Sequence, residues 1–216
     1  MKTALINASP RGKISTSFKF LNEVKAMLPK DFETSDIQAN KAALTEDQLL
    51  ELKNSDIWIF ANPLYIDSLP GHLLEVLEQI DASGIAQEAA HKHKVYAIIN
   101  CGFYEAVQNK LAVRVYENWC KRAGLEWCGA VGIGGGGAIG FMPAEMPMSV
   151  GPLKPIYKVL LKISDSIKNG SAFDTTYVSF GFPRFLYIKC AHYGWYKAIK
   201  QNGKKIKDLY RRPATH

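Results

Sequence analysis

The segment Asn7-Ala8-Ser9-Pro10-Arg11-Gly12-Lys13-Ile14-Ser15-Thr16-Ser17 sets four hydroxyls and two cations directly before a run of apolar residues at helical spacing. A phosphate at a helix N-terminus gains from unpaired backbone N–H groups and from the helix dipole, and hydroxyls and cations add further donors. The stretch therefore reads as a phosphate cradle. It reads equally as a polar loop ending in an ordinary serine cap, and the residues alone leave both open. Two more segments, Asn62-Pro63-Leu64-Tyr65-Ile66-Asp67-Ser68-Leu69-Pro70-Gly71 and Asn100-Cys101-Gly102-Phe103-Tyr104-Glu105, bring apolar and aromatic groups together with flexible backbone. An aromatic, largely apolar ring with polar edges suits such walls, its edges read by backbone N–H and C=O groups. Any single one of these aromatics also reads as a cap on the core.

Other chemistries find no support. Gly12-Lys13 lacks the earlier glycine of a Walker A loop, where Asn7 stands, and Ile14 replaces the hydroxyl after the lysine. Gly132 to Gly137 satisfies G-x-G-x-x-G but follows the last predicted strand and leads into Pro- and Met-rich sequence rather than a helix. His72, His91, His93, His192 and His216 form no H-x-x-x-H or triad pattern and read as solvated or structural. No G-x-S-x-G occurs. Cys101, Cys120, Cys128 and Cys190 make no C-x-x-C and have no metal-like histidine spacing, so buried reduced thiols are expected and no metal.

The elements that must position these loops follow from the apolar pattern. Thr3 to Asn7 reads as a strand, and Phe18, Leu21, Val24 and Leu28 mark a helix opened by Ser15-Thr16-Ser17 and closed at Pro29. A second strand is placed near Phe32 to Ile37, and Thr45 with Gln48 forms a capping box for a short helix. Asp56 to Ala61 and Val95 to Ile99 are continuous apolar runs, the pattern of strands buried on both faces of a parallel sheet. Between them Pro70 opens a helix with Leu73, Leu74, Leu77 and Ile80 as its stripe. A helix over Glu105 to Ala123 ends at Lys121-Arg122 and Gly124, and a fifth strand spans Trp127 to Ile133. Strands alternating with helices predict an α/β fold with three layers, a doubly wound five-stranded parallel sheet in the order 2-1-3-4-5. Ligands of such sheets bind beyond the carboxyl ends of the strands, where these loops lie.

The chain has 216 residues, 47% apolar and 22% charged, with no low-complexity stretch, which excludes disorder, collagen and coiled coil. No signal-peptide core follows Met1-Lys2, and no apolar stretch reaches the ~20 residues of a transmembrane span, so a cytoplasmic protein is expected. The net charge of +7 divides unevenly: residues 1–149 carry −3 and residues 150–216 carry +10. The second stretch also holds 11 of the 24 aromatic residues. This shift places a boundary at 149/150, with a basic, aromatic-rich helical extension beyond it. Phe185 to Ile199, followed by Lys200, Lys204, Lys205 and Lys207, has the composition of nucleic-acid or membrane-surface segments. The better reading is helices packing their aromatics on the core or across a dimer, because no nucleic-acid motif accompanies them.

With the loops in place, INASPRGKISTS, NPLYIDSLPGHLLEVLEQID and INCGFYEA together resemble the flavodoxin-like NAD(P)H-dependent FMN reductases and quinone reductases over roughly residues 1–140. The resemblance implies that Ser9, Arg11, Ser15, Thr16 and Ser17 hold the phosphate of FMN. It implies that Pro63, Leu64, Tyr65 and Ile66 line the isoalloxazine, and that Asn100, Gly102 and Phe103 meet its polar edge and face. Ala8 stands where these loops usually have Gly, and Gly12-Lys13-Ile14 gives the serines an unusual spacing.

The activity so implied is hydride transfer from NAD(P)H to FMN and on to a small acceptor such as a quinone or free flavin, in a homodimer. The isoalloxazine then carries the chemistry and no catalytic side chain is expected. An FMN-binding electron carrier without pyridine-nucleotide activity is the alternative, although flavodoxins of that kind are usually shorter and acidic. Binding of nucleic acid or a membrane surface through the tail ranks below both, and no integral membrane association is expected.

Overall fold

A computed structural model of the chain describes residues 1–88, 91–139, 142 and 146–211. The chain divides into two compact units, Met1–Gly181 and Phe182–His216. The first is built on a wholly parallel sheet of β1 (Lys2–Asn7), β2 (Glu33–Gln38), β3 (Ile57–Pro63), β4 (Lys94–Asn100), β5 (Glu126–Gly134) and β6 (Thr176–Ser179). Its order is β2-β1-β3-β4-β5-β6.

The first five strands stand within two residues of where the sequence placed them, and in the expected order, but the sheet has six strands rather than five. β6 escapes sequence reading because it is an edge strand of four half-buried residues, Thr176-Tyr177-Val178-Ser179, with no apolar run. Its approach is licensed at Gly129 (φ 115°), where a Cβ would overlap the Phe173 carbonyl oxygen and prevent the Phe173 N–H from bonding the Cys128 carbonyl at 2.6 Å.

The helices are α1 (Thr16–Met27), α2 (Glu46–Lys53), α3 (Gly71–Ser83), α4 (Ile85–Glu88), α5 (Lys110–Ala123), α6 (Gly136–Ile139) and α7 (Lys154–Asn169). Local chemistry sets their ends. Thr45 and Gln48 form the complete capping box of α2, and Gly124 (φ 75°) closes α5 in the left-handed conformation. Pro70 falls one residue outside α3, at its N-cap, where its carbonyl accepts from Leu73 and Leu74. The expected start of α5 at Glu105 is a 3₁₀ turn, Ala106–Asn109, before the α-helix begins. The glycine run does lead into a helix, contrary to its Pro- and Met-rich sequel, but into the single turn of α6.

Strand side chains alternate between the two faces. Ala4, Ile6, Trp58, Phe60, Val95, Ala97 and Ile99 face one core with α3 and α5, which supply Leu73, Leu77, Tyr116 and Trp119. There Phe60 and Trp119 pack edge to face with centroids 5.9 Å apart, and Tyr116 stacks on Trp127 at 6.0 Å. On the other face lie α1 and α7. The stripe Ile156, Leu160, Ile163 and Ile167 of α7 is fully buried. Residues 150–181 thus belong to the first unit.

The second unit, by itself, is helix α8 (Arg184–Gln201) and a 3₁₀ turn, Ile206–Tyr210. Within it Lys189 Nζ stands 5.9 Å from the Phe185 ring, and the His192 ring lies 5.8 Å from that of Trp195.

Candidate functional site

Three of the central strands carry an asparagine at their carboxyl end: Asn7 is the last residue of β1 and Asn100 of β4, and Asn62 is the last but one of β3. All three are buried, so their amides must be paired within the protein. Asn7 Nδ2 donates to Gln38 Oε1 at 2.9 Å, while its Oδ1 accepts from the Ser9 backbone N–H at 3.3 Å and lies 3.5 Å from Ser15 Oγ. Asn100 Nδ2 donates to Ser17 Oγ at 2.8 Å and to the Asn62 carbonyl at 3.1 Å. Asn62 Oδ1 accepts from the Tyr116 hydroxyl at 2.8 Å. The amides tie the ends of the strands to the loops above them, and one of them, Asn100, lines a cleft there.

The cleft is lined by Ser9, Arg11, Ser15, Thr16 and Ser17 from the loop after β1, by Pro63, Leu64 and Tyr65 from the loop after β3, and by Asn100 and Gly102 after β4. Gly136 and Gly137 complete it. Ten of the twelve residues singled out in the sequence therefore face one opening. Ile66 and Phe103 do not line it and are 99% and 55% exposed.

The hydroxyls differ in what they have left to give. Ser15 caps α1, accepting from the Phe18 N–H at 3.1 Å, so the serine-cap reading describes this residue. Ser17 Oγ accepts from Asn100, which turns its own O–H away from that amide. Thr16 Oγ1 makes only a long contact, 3.4 Å, to the Gly136 carbonyl. No carboxylate is among the lining residues. Hydroxyls, the Arg11 guanidinium and the first-turn N–H groups of α1 make a donor set for an anion, and Pro63, Leu64 and Tyr65 make an apolar wall beside it.

Gly136 and Gly137 were not foreseen as site residues. A Cβ on Gly136 would stand 2.8 Å from Asn100 Oδ1, and its N–H donates to the Cys101 carbonyl at 2.8 Å, so glycine lets this turn close against the loop after β4. Asn7, Asn62 and Tyr116 were also missed. The available signal was the repetition of an apolar run ending in Asn, in LIN, IFAN and AIIN.

Between Tyr65 and Ser68 the backbone makes a two-residue turn, the Tyr65 N–H donating to the Ser68 carbonyl at 3.0 Å and the Ser68 N–H to the Tyr65 carbonyl at 3.1 Å. Its central residues, Ile66 (φ 49°) and Asp67 (φ 58°), are the only non-glycine residues with positive φ among those described. Left-handed backbone costs an L-residue roughly 1–2 kcal/mol, and a β-branched residue is the least suited to it.

Cys101 sits under the cleft, buried, and burial foremost raises its thiol above the ordinary range, so it is a poor nucleophile. The Tyr116 hydroxyl is likewise raised by burial and stays a neutral donor to Asn62. His72 Nε2 lies 3.2 Å from the Ala8 carbonyl, between the first loop and α3. His93 is buried at the amino end of the sheet, its ring 4.5 Å from that of Trp58 and Nδ1 2.7 Å from the Ser55 carbonyl. His91 pairs with Asp56 at 3.0 Å, and His216 lies outside the described residues. Among the described residues no group of three His, Cys, Asp or Glu could hold a metal ion, and no helix is long and apolar enough to cross a membrane.

No family model matches the chain, and no curated protein matches it. Solved structures do. An NADH:FMN oxidoreductase in its apo form is 14% identical, with 85% of this chain and 96% of that chain covered at a TM-score of 0.59. An NADPH-quinone reductase from P. pentosaceus is 15% identical over 78% of this chain and 98% of its own, at a TM-score of 0.54. A flavodoxin, WrbA-like protein from Agrobacterium tumefaciens is 15% identical over the same shares, 78% and 98%, at a TM-score of 0.51. At such identities the likeness is one of fold, and the fold is flavodoxin-like, as the three motif segments implied.

Proposed function

We propose that this chain is an FMN-dependent NAD(P)H oxidoreductase that hands the electrons on to a small-molecule acceptor such as a quinone. The observation that carries the reading is the convergence, from three loops on three strands, of an anion donor set and an apolar wall on one cleft. The residues fit FMN: a phosphate needs hydroxyls, a guanidinium and a helix start, and a flavin ring needs a flat apolar wall with backbone groups at its edge. The solved structures of like fold that are named for FMN or quinone reduction agree with it.

When bound, FMN supplies the capacity to take a hydride from the nicotinamide and to release two electrons to an acceptor, which gains two protons. The protein's part is to bind and orient. Ser9, Thr16, Ser17 and Arg11 would hold the phosphate, with Ser15 fixing the start of α1. Leu64 and Tyr65 would support the ring, while Gly102 and Gly137 would lie at its polar edge, where backbone donors offset charge that builds there. The Leu64 N–H bonds the Asn100 carbonyl at 2.7 Å, which keeps the two ring-bearing loops in register.

An anaerobic titration tests this. The purified chain is expected to bind FMN and its visible bands to bleach on adding NADH or NADPH. Failure to bind FMN overturns the reading, and bound FMN that neither nucleotide reduces leaves an electron carrier instead.

A further inference from the structure

The turn at Ile66-Asp67 is unexplained by folding. A two-residue turn with both central residues left-handed favours Asn-Gly or Asp-Gly, and this chain places a β-branched residue in the first position. Ile66 recovers nothing by packing, since it is 99% exposed. An apolar side chain held in an unfavourable backbone conformation and offered wholly to solvent has its use outside the folded chain.

Its place indicates what that use is. Tyr65, the preceding residue, lines the cleft and is 46% exposed. Phe103, 55% exposed, rises from the loop after the neighbouring strand, β4. Ile66 and Phe103 each follow directly on a residue that lines the cleft, Tyr65 and Gly102, so exposed apolar groups flank the opening from two loops, and Asp67 adds one negative charge beside Ile66. Such groups gain by covering a flat uncharged molecule, whereas the carboxylate opposes an anion.

We propose that Ile66 determines the choice of oxidising substrate, favouring a planar, uncharged, apolar acceptor over a small anionic one. This rests on the oxidoreductase reading above. The acceptor takes two electrons and two protons and leaves as the reduced, still uncharged, product. Ile66 is a specificity residue beside the opening, and the residues that would hold the cofactor line the cleft.

The test compares the wild-type chain with Ile66→Asn and Ile66→Val. Each is assayed with 2-methyl-1,4-naphthoquinone and with ferricyanide as acceptors, and each is melted without cofactor. Asparagine tolerates left-handed backbone, so I66N is expected to melt higher than wild type. Its ratio of kcat/KM for the naphthoquinone to that for ferricyanide is expected to fall about five-fold or more, chiefly through the naphthoquinone KM, because an amide replaces the hydrocarbon that the bound acceptor would cover. I66V, still apolar and β-branched, is expected to keep the ratio within about two-fold of wild type on the same grounds. A ratio that I66N leaves unmoved overturns the proposal, as does an unchanged or lower melting temperature, which removes its premise of strain. A wild-type chain that NADH and NADPH cannot reduce overturns the functional reading and this proposal together. An active wild type with an unmoved ratio overturns this proposal alone.

Discussion

Asn100 at the end of β4 donates to the hydroxyl of Ser17 in the first turn of α1 at 2.8 Å, joining residues 83 positions apart directly beneath the cleft. The same Nδ2 donates to the Asn62 carbonyl. One amide therefore ties the first turn of α1 to the carboxyl ends of β3 and β4. Asn100→Ala leaves a buried hydroxyl and a buried carbonyl without that partner, and each orphaned group costs about 1–3 kcal/mol. The variant is expected to unfold at lower urea concentration and to bind FMN more weakly. A matched pair of urea melts and FMN fluorescence titrations checks both effects.

Tyr116 tests the same strand ends. Its hydroxyl donates to Asn62 Oδ1 at 2.8 Å in a fully buried setting. Tyr116→Phe keeps the ring that packs on Phe60 and Trp127 and removes only the donor. A loss of about 1–3 kcal/mol is expected from chemical denaturation, with a smaller effect on cofactor affinity than N100A has, because Tyr116 does not line the cleft.

The proposed division of the cleft into a phosphate side and a ring side predicts ligand preference. Riboflavin, which lacks the phosphate, is expected to bind the wild-type chain more weakly than FMN. Thr16→Ala and Arg11→Ala are expected to reduce FMN affinity while leaving riboflavin affinity almost unchanged. The Arg11 effect should shrink with added salt, since this side chain is exposed and screened, and titrations at two ionic strengths show it.

At the opposite end of the sheet, His93 governs stability rather than binding. Burial foremost depresses its pKa below the ordinary 6.5, despite the opposing bond to the Ser55 carbonyl. The unfolded chain therefore takes up a proton at this residue before the folded chain does. Its contribution to stability is constant above pH 6.5 and is lost as pH falls below that value. His93→Asn is expected to be less stable than wild type at pH 8 but to show a flatter decline in melting temperature from about pH 7 to about pH 5.

Those elements that make themselves known locally were legible in the sequence. Ile57-Trp58-Ile59-Phe60 and Val95-Tyr96-Ala97-Ile98-Ile99 could only be doubly buried strands, and Thr45 with Gln48 fixed a helix start to the residue. The loops at the strand ends, and ten of the residues that meet in the cleft, followed from that frame and from the motif resemblance. What escaped depends on distance. The Tyr116–Asn62 bond spans 54 residues and leaves no trace in either neighbourhood. β6 is held by Gly129 on another strand rather than by its own composition. The charge shift at 149/150 marked a change of composition and not the edge of a unit: Ile156, Leu160, Ile163 and Ile167 of α7 are buried within the first unit, which runs to Gly181. Gly136 and Gly137 were weighed only as a dinucleotide fingerprint, although their small size serves close packing on the loop after β4.

Asn7, Asn62 and Asn100 also decide what the cleft does not respond to. An amide neither gains nor loses a proton across the range in which proteins stay folded, so Asn100 in the cleft, and Asn7 and Asn62 at the strand ends beside it, keep the same charge, zero, in acid and in alkali. Affinity can then follow pH only through the ligand's own ionisation or through groups at the margin. Aspartates in their places would have repelled a phosphate ester in neutral solution and released that repulsion in acid. With amides the cleft has the same polarity in either condition.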